Sequence, residues 1–270
     1  MSTDIRDTVS SAYTDALERS RAGTGGCCGA KPCGTTASLA GYDAEHDAYA
    51  DAAQSSFGCG NPLAFAGVQP GQTVIDLGSG AGFDLLIAAD KVGPSGRVIG
   101  VDMTDAMIEA ARANAARVGK PNIDVRKGYI EKLPIDDAVA DWVISNCVIN
   151  LSPDKPAVFR EIARVLRPGG RLSISDIMLE DAPAWLRTNA AAYSACVGGA
   201  ISEAEYLAGL RDAGLVDVEV TERLVYDADQ LRAMVHDELG AATVPADVVD
   251  RALAEVTGKV WSAKVVGRRG

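Results

Sequence analysis

A glycine-rich turn is the stretch whose residue types and spacing best suit ligand chemistry. An apolar, strand-like run over residues 73–77 carries Asp76 and leads directly into Gly78, Gly80 and Gly82, and a helical pattern follows at once. Because glycine has no Cβ, a ligand at such a turn can lie against backbone N–H groups at the start of the helix. The pattern predicts a nucleotide-type site; the alternative is a tight packing turn that binds nothing.

The spacing of the glycines narrows the class of nucleotide. A dinucleotide fingerprint requires its third glycine one residue later, at the position that Phe83 occupies here. Asp102 ends the next strand-like run, roughly twenty residues beyond the glycines, where an acid can accept hydrogen bonds from ribose hydroxyls. We therefore expect an adenosyl cofactor without a pyrophosphate, S-adenosylmethionine.

The cysteines are the second set of residues placed for chemistry. Cys147 directly follows a strand-like run, at the sheet edge where open α/β proteins bind ligands. Cys59 and Cys196 lie beside glycines, where a core residue gains little packing. Three more lie in a glycine-rich loop without apolar periodicity: Cys27, Cys28 and Cys33. Burial as small apolar side chains is the alternative for each cysteine, but it explains the loop cysteines poorly.

Thiols that converge on a sulfonium methyl donor favour a soft, thiophilic acceptor. Trivalent arsenic binds three sulfurs and keeps a lone pair that can attack the donor's methyl carbon. Such a nucleophile has no proton to lose and needs no general base, in keeping with a sequence that presents no evident histidine or carboxylate dyad. The two histidines, His46 and His236, have no ligand-like spacing, so a mixed cysteine–histidine zinc site is not expected.

The order of the predicted elements must bring these residues together. Strand-like and helical patterns alternate from residue 73 onward, which predicts an α/β fold with a doubly wound, mostly parallel seven-stranded sheet covered on both faces. The predicted strands lie near 73–77, 97–102, 122–126, 140–146, 171–178, 216–220 and 258–266, the last antiparallel at the sheet edge. The predicted helices lie near 3–20, 61–67, 82–91, 104–118, 154–166, 183–213 and 228–256. Thr104 and Ser152 are predicted N-caps, and Pro168-Gly-Gly170 is predicted to turn from a helix into a strand.

Composition sets the broad class of protein. A chain of 270 residues with 47% apolar residues can form one large α/β domain, with or without a cap. A net charge of −11 argues against a nucleic-acid partner, because phosphate contacts require clustered lysine and arginine. No segment suits a membrane span, and the first residues lack the pattern of a signal peptide, so we expect a cytoplasmic protein.

Five segments of the sequence are similar to those of arsenite methyltransferases, which are class I enzymes dependent on S-adenosylmethionine. They are Phe57-Gly-Cys-Gly-Asn-Pro62, Val74-Ile-Asp-Leu-Gly-Ser-Gly-Ala-Gly-Phe-Asp84, Val101-Asp-Met-Thr104, Ser145-Asn-Cys-Val-Ile-Asn-Leu-Ser-Pro-Asp-Lys155 and Arg167-Pro-Gly-Gly170. The glycine turn is shared by all class I methyltransferases, whereas the two cysteine-containing segments are specific. The resemblance extends from about residue 5 to about residue 215.

The resemblance implies a set of site residues. Arsenic would be held by Cys59, Cys147 and Cys196, and a cysteine of the Cys27–Cys28 pair, with Cys28 favoured, would act in the first methylation. The implied cofactor contacts are Asp76, Gly78, Ser79, Gly80, Asp102, Met103, Ile130, Glu131 and Asn146. The substrates would be arsenite and methylated arsenicals, and thioredoxin or glutathione would reduce the disulfide formed when trivalent arsenic is regenerated. Cys33 has no counterpart in the family pattern.

These expectations divide the chain into three parts. Residues 1–60 would form an N-terminal helix and a cysteine-rich substrate loop, 61–180 the Rossmann-like cofactor domain, and 181–270 a cap with the arsenic-binding segment and the strands that close the sheet. Two other functions remain open: a class I methyltransferase of a small organic metabolite with incidental cysteines, and a thiol-based protein that only sequesters arsenic. The glycine turn and Asp102 argue against sequestration, because that function needs no methyl donor.

Overall fold

A seven-stranded sheet forms the centre of the protein. The computed structural model describes residues 4–21, 49–53, 60–65, 67–194, 196–231, 250 and 253–270. The strands are β1 (Thr73–Leu77), β2 (Arg97–Asp102), β3 (Ile123–Lys127), β4 (Ala140–Asn146), β5 (Leu166–Leu179), β6 (Leu215–Val225) and β7 (Val260–Arg269). Their order is β3-β2-β1-β4-β5-β7-β6, and β7 alone runs opposite to the others. The predicted doubly wound, mostly parallel sheet is confirmed.

Helices cover both faces of this sheet. They are α1 (Ile5–Arg21), α2 (Ala50–Ala53), α3 (Pro62–Phe65), α4 (Phe83–Val92), α5 (Asp105–Arg117), α6 (Lys155–Val165), α7 (Ala184–Thr188), α8 (Ala190–Ser194) and α9 (Glu203–Asp212), with a 3-10 turn at Ile149–Leu151. Of the helix predicted over 228–256, residues 232–249 and 251–252 lie outside the described residues. No helix in the described ranges is both long enough and apolar enough to cross a membrane.

Alternation along the central strands creates the two halves of the core. Successive side chains of a strand point to opposite faces, so Val74 packs with Leu86 of α4 and with Trp142, while Ile75 packs on the other face with Phe159 of α6. Of these residues, Val74, Leu86, Ile75 and Phe159 are almost fully buried. The first strand is therefore buried on both faces, and the residues at and just after its carboxyl end, including Asp76, line a cleft.

Two local predictions differ from the structure, and a third is refined by it. Asp154, not Ser152, caps α6, because its carboxylate accepts a hydrogen bond from the Ala157 amide at 3.0 Å. The Pro168-Gly-Gly170 segment lies within β5 as an irregularity in its pairing with β4, rather than as a turn before the strand. The helical stretches predicted over 183–213 are α7, α8 and α9, with Gly198 and Gly199 in the break before α9.

Candidate functional site

The glycine turn after β1 has backbone angles that glycine adopts without strain. Gly78, Gly80 and Gly82 have φ values of 65°, 50° and 89°, in the left-handed region that other residues rarely adopt. A Cβ built at Gly78 would overlap the side chain of Val148, whereas nothing lies within 4 Å of one built at Gly80. Open space therefore faces the Gly80 backbone, and a ligand can approach it closely.

Asp102 ties this turn to the end of β2. Its Oδ2 atom accepts a hydrogen bond from the Gly80 amide at 2.9 Å, and its Oδ1 atom accepts one from the Thr104 amide at 2.8 Å. Burial raises the pKa of Asp102, while these backbone donors act in the opposite direction. Because each carboxylate oxygen has a further lone pair, Asp102 can hold the turn and still accept hydrogen bonds from a ligand.

One cleft collects every residue that the resemblance assigns to the cofactor. It encloses about 940 Å³, including the solvent at its mouth, within the ~300–1,000 Å³ typical of small-molecule sites. The nine assigned residues all line it: Asp76, Gly78, Ser79, Gly80, Asp102, Met103, Ile130, Glu131 and Asn146. Cys147 lines the same cleft. The structure therefore places a predicted acceptor thiol beside the predicted donor residues.

The cleft is strongly acidic at its base. Asp76 is only 2% exposed, and burial first, then the neighbouring charges of Asp84 and Asp102, raise its pKa well above the ordinary value. A cationic ligand would relieve this repulsion and favour the ionised carboxylates. S-adenosylmethionine carries an ammonium and a sulfonium group, so the carboxylates and the open backbone at Gly80 fit this cofactor.

Asn146 fastens the segment that follows Cys59 to the carboxyl end of β4. Its Oδ1 atom accepts a hydrogen bond from the Gly60 amide at 3.1 Å, and its Nδ2 atom donates to the Gly60 carbonyl at 2.6 Å. A Cβ at Gly60 would lie 2.6 Å from the Cβ of Ser175, so the backbone approaches β5 closely at this point. Cys59 itself lies outside the described residues, as do Cys27, Cys28 and Cys33.

Cys147 is the first residue after β4, where the sequence analysis placed it. It has a φ of 56°, which is uncommon for a residue with a side chain and is found often at functional sites. Its amide donates a hydrogen bond to the Ser175 carbonyl at 2.8 Å. Cys147 is disulfide-bonded, and Cys196 is a buried thiol.

Cys196 lies directly against Cys147. Its thiol donates a hydrogen bond to the Cys147 carbonyl at 2.7 Å, and its φ is also positive, at 61°. Three residues later, a Cβ at Gly199 would overlap the Asn150 carbonyl oxygen, so the backbone there lies close to the loop that carries Cys147. The thiol of one predicted arsenic ligand thus contacts the backbone of another. No group of three or more possible metal-ligating side chains occurs within the residues that the structure describes.

Helix α1 closes one side of the cleft, which the sequence analysis did not anticipate. Arg6 donates two hydrogen bonds to Oε1 of Glu131, from Nη2 at 3.0 Å and from Nε at 3.3 Å. The same oxygen accepts a hydrogen bond from Ser152 at 2.7 Å. The available signal was the spacing of Arg6, Val9 and Tyr13, which lie on one helical face and all line the cleft.

A buried polar cluster supports the loop that carries Cys147. Asp176 accepts hydrogen bonds from Asn150 at 2.8 Å and from Tyr206 at 3.2 Å, and burial raises its pKa to about 7. Lys155 donates to the carbonyls of Asn150 and Ser152 at 3.2 and 3.1 Å, and burial lowers its pKa to about 8. These hydrogen bonds stabilise the loop between β4 and α6.

Comparisons with known proteins agree with this architecture. Residues 69–214 match a methyltransferase domain family. The chain is 46% identical over 203 residues to an arsenite methyltransferase of Halobacterium salinarum and 40% identical over 212 residues to one of Aquipseudomonas alcaligenes. These alignments cover 74% and 75% of this chain but 52% and 54% of the relatives, so the chain spans about half of their length.

A solved structure extends the comparison. The crystal structure of an arsenic(III) S-adenosylmethionine methyltransferase from Chlamydomonas reinhardtii superimposes with a TM-score of 0.69 at 33% identity. The match covers 86% of this chain and 73% of the algal chain. On this similarity and the domain match, the chain belongs to the methyltransferase family, in the group that contains the arsenite methyltransferases.

Proposed function

We propose that this protein transfers methyl groups from S-adenosylmethionine to trivalent arsenic bound by Cys59, Cys147 and Cys196. The observation that carries the proposal is the position of Cys147, which lines the acidic cleft and receives the Cys196 thiol on its own carbonyl oxygen. The similarity to arsenite methyltransferases supports the choice of substrate.

The donor half of the site rests on the residues at the carboxyl ends of β1, β2 and β4. S-adenosylmethionine, when bound, supplies an electrophilic methyl group on a sulfonium centre. Asp102 would accept hydrogen bonds from its ribose, Gly80 would leave the backbone accessible, and Asp76 would offset its positive charge. Ile130 and Glu131 also line the cleft, and the resemblance assigns them to the adenine.

The acceptor half would hold arsenic by sulfur alone. Each thiol that replaces an arsenite hydroxyl forms an As–S bond and releases one water molecule, so charge and atoms balance. The arsenic keeps its lone pair as the nucleophile, and no protein base is required. Two hydrogen bonds fix Gly60, the residue after Cys59, to Asn146, which supports a place for Cys59 in this set. Cys28 is proposed to act in the first methylation.

The proposed methylation cycle passes through both reduced and oxidised states of the cysteine thiols. Methylation leaves arsenic pentavalent, and two cysteine thiols would return it to the trivalent state while forming one disulfide. Thioredoxin or glutathione is the proposed reductant, and the cytoplasm, which keeps thiols reduced, is the proposed location.

Substitution of the thiols tests this function. The reduced protein is incubated with S-adenosylmethionine and either arsenite or a monomethylated arsenical, and the arsenic species are separated by chromatography. Cys147→Ser and Cys196→Ser should abolish methylation, while Cys33→Ser, a cysteine without a family counterpart, should leave it unchanged. All three should bind S-adenosylhomocysteine as the parent does.

The alternatives give different results in the same assay. A methyltransferase of a small organic metabolite would produce no methylated arsenic, or the same amount after loss of Cys147. A sequestering protein would bind arsenite tightly and leave the S-adenosylmethionine unconsumed. Parental methylation by the Cys147→Ser variant contradicts the proposal.

A further inference from the structure

Helix α1 contacts both halves of the proposed site. Arg6, Val9 and Tyr13 occupy positions i, i+3 and i+7 and line the cleft. Arg6 reaches Glu131, while the hydroxyl of Tyr13 lies 3.9 Å from Sγ of Cys196, within hydrogen-bond distance of a sulfur. Because Arg6 and Tyr13 are about 10 Å apart along the helix axis, one helix reaches both Glu131 and Cys196.

The helix is held firmly enough to place a hydroxyl. Leu17, one turn beyond Tyr13, is 1% exposed and packs against Met107 of α5. At the other end, the Arg6 guanidinium makes its two hydrogen bonds to Glu131 and lies 5.3 Å from the centre of the Tyr129 ring. The position of Tyr13 is therefore fixed from both sides.

The hydrogen bonds of Cys196 identify the donor and the acceptor in its contact with Tyr13. A thiol has one hydrogen, and Cys196 donates it to the Cys147 carbonyl at 2.7 Å. Tyr13 is then the donor and the Cys196 sulfur the acceptor. When an As–S bond replaces the S–H bond, the hydrogen leaves in water and the bond to Cys147 is lost. The Tyr13 hydroxyl remains as a donor to the sulfur.

We propose that Tyr13 is a positioning residue for the arsenic acceptor, which directs the Cys196 sulfur toward the cleft through a hydrogen bond from α1. This proposal rests on the proposed function and adds a residue that neither the cysteine motifs nor the glycine turn contains. It also gives α1 a role at the acceptor, in addition to its contacts with Glu131 at the donor end.

Two affinities measured on the reduced full chain test the proposal. Phenylarsine oxide, which binds protein thiols without requiring methyl transfer, probes the acceptor, and S-adenosylhomocysteine probes the donor cleft. Tyr13→Phe keeps the ring and removes the hydroxyl, so it should weaken phenylarsine oxide binding about three- to tenfold, the range of one net hydrogen bond. S-adenosylhomocysteine binding and the melting temperature should not change.

A matched control removes a distant tyrosine hydroxyl. Tyr49 hydrogen-bonds Asp90 and does not line the cleft, so Tyr49→Phe should leave both affinities at the parental value. Parental phenylarsine oxide affinity in Tyr13→Phe overturns the proposal, as does an equal loss of both ligands, which would indicate a loosened helix. If the parent binds the arsenical but does not methylate arsenic, the proposed function alone fails. If the parent does not bind it, both fail.

Discussion

Alanine substitutions at Gly78, Gly80 and Gly119 distinguish three consequences of adding a Cβ atom: backbone strain, steric overlap and obstruction of a ligand. Gly78 and Gly119 have nearly the same φ, 65° and 66°, yet a Cβ would overlap Val148 at the first and meet nothing within 4 Å at the second. Gly80 also has a positive φ, 50°, and open space around it, but that space is the cleft. Gly119→Ala therefore introduces backbone strain alone, Gly78→Ala adds steric overlap to the strain, and Gly80→Ala adds obstruction of the cleft to it.

The expected magnitudes follow from these differences. A left-handed alanine costs ~1–2 kcal/mol, offset by ~0.4–1 kcal/mol from the less flexible unfolded chain, so Gly119→Ala should destabilise by about 1 kcal/mol. Gly78→Ala adds ~1–3 kcal/mol of overpacking, for a total of about 2–4 kcal/mol. Gly80→Ala should resemble Gly119→Ala in stability but weaken S-adenosylhomocysteine binding at least tenfold.

Urea unfolding gives the stabilities, and calorimetric titration gives the affinities. Combining Gly78→Ala with Val148→Ala should recover much of the additional loss, because the overlapping methyl groups are removed. Equal destabilisation by Gly78→Ala and Gly119→Ala would refute the described packing of the turn. Unchanged ligand affinity in Gly80→Ala would refute the placement of the cofactor.

Two further predictions concern the supports of the site. The pKa of Asp176 is raised from 3.8 to about 7 in the folded protein, so the stability it contributes is present below pH ~4 and is lost as the pH rises to ~7, by at most about 4 kcal/mol. Asp176→Asn should flatten the urea-unfolding free energy across this range, and an unchanged pH dependence contradicts the assignment. Asn146→Ala removes both hydrogen bonds to Gly60 and should cost about 1–3 kcal/mol and weaken arsenical binding. Asn122→Ala, which loses a bond to the Gly93 carbonyl, is the control; equal arsenical affinity in the two variants contradicts the role of Asn146.

Local pattern and sheet topology made much of the donor site predictable. The apolar runs before Asp76, Asp102 and Cys147 identify strands, and parallel strands bring their carboxyl ends to one edge. The glycine spacing then indicates where the backbone must turn with positive φ. For these residues, knowledge of the neighbouring sequence was sufficient, since their positions depend on short-range patterns and on one general rule.

Contacts between distant segments were not predictable in the same way. Arg6 meets Glu131 and Tyr13 meets Cys196 across 125 and 183 residues, because α1 docks on the finished domain. Ser152 was predicted to cap α6, but Asp154 does so, while the Ser152 hydroxyl accepts from the Asp154 amide and donates to the distant Glu131. Short-range periodicity contains no information about such docking.

The sulfur coordination of bound arsenic tests the central claim most directly. Arsenic K-edge X-ray absorption of the reduced protein loaded with one equivalent of arsenite reports how many sulfur atoms surround the metalloid. We predict three sulfurs in the parent protein and two in both the Cys147→Ser and the Cys196→Ser variants. An identical sulfur count in all three proteins would contradict a shared thiol site beside the cleft.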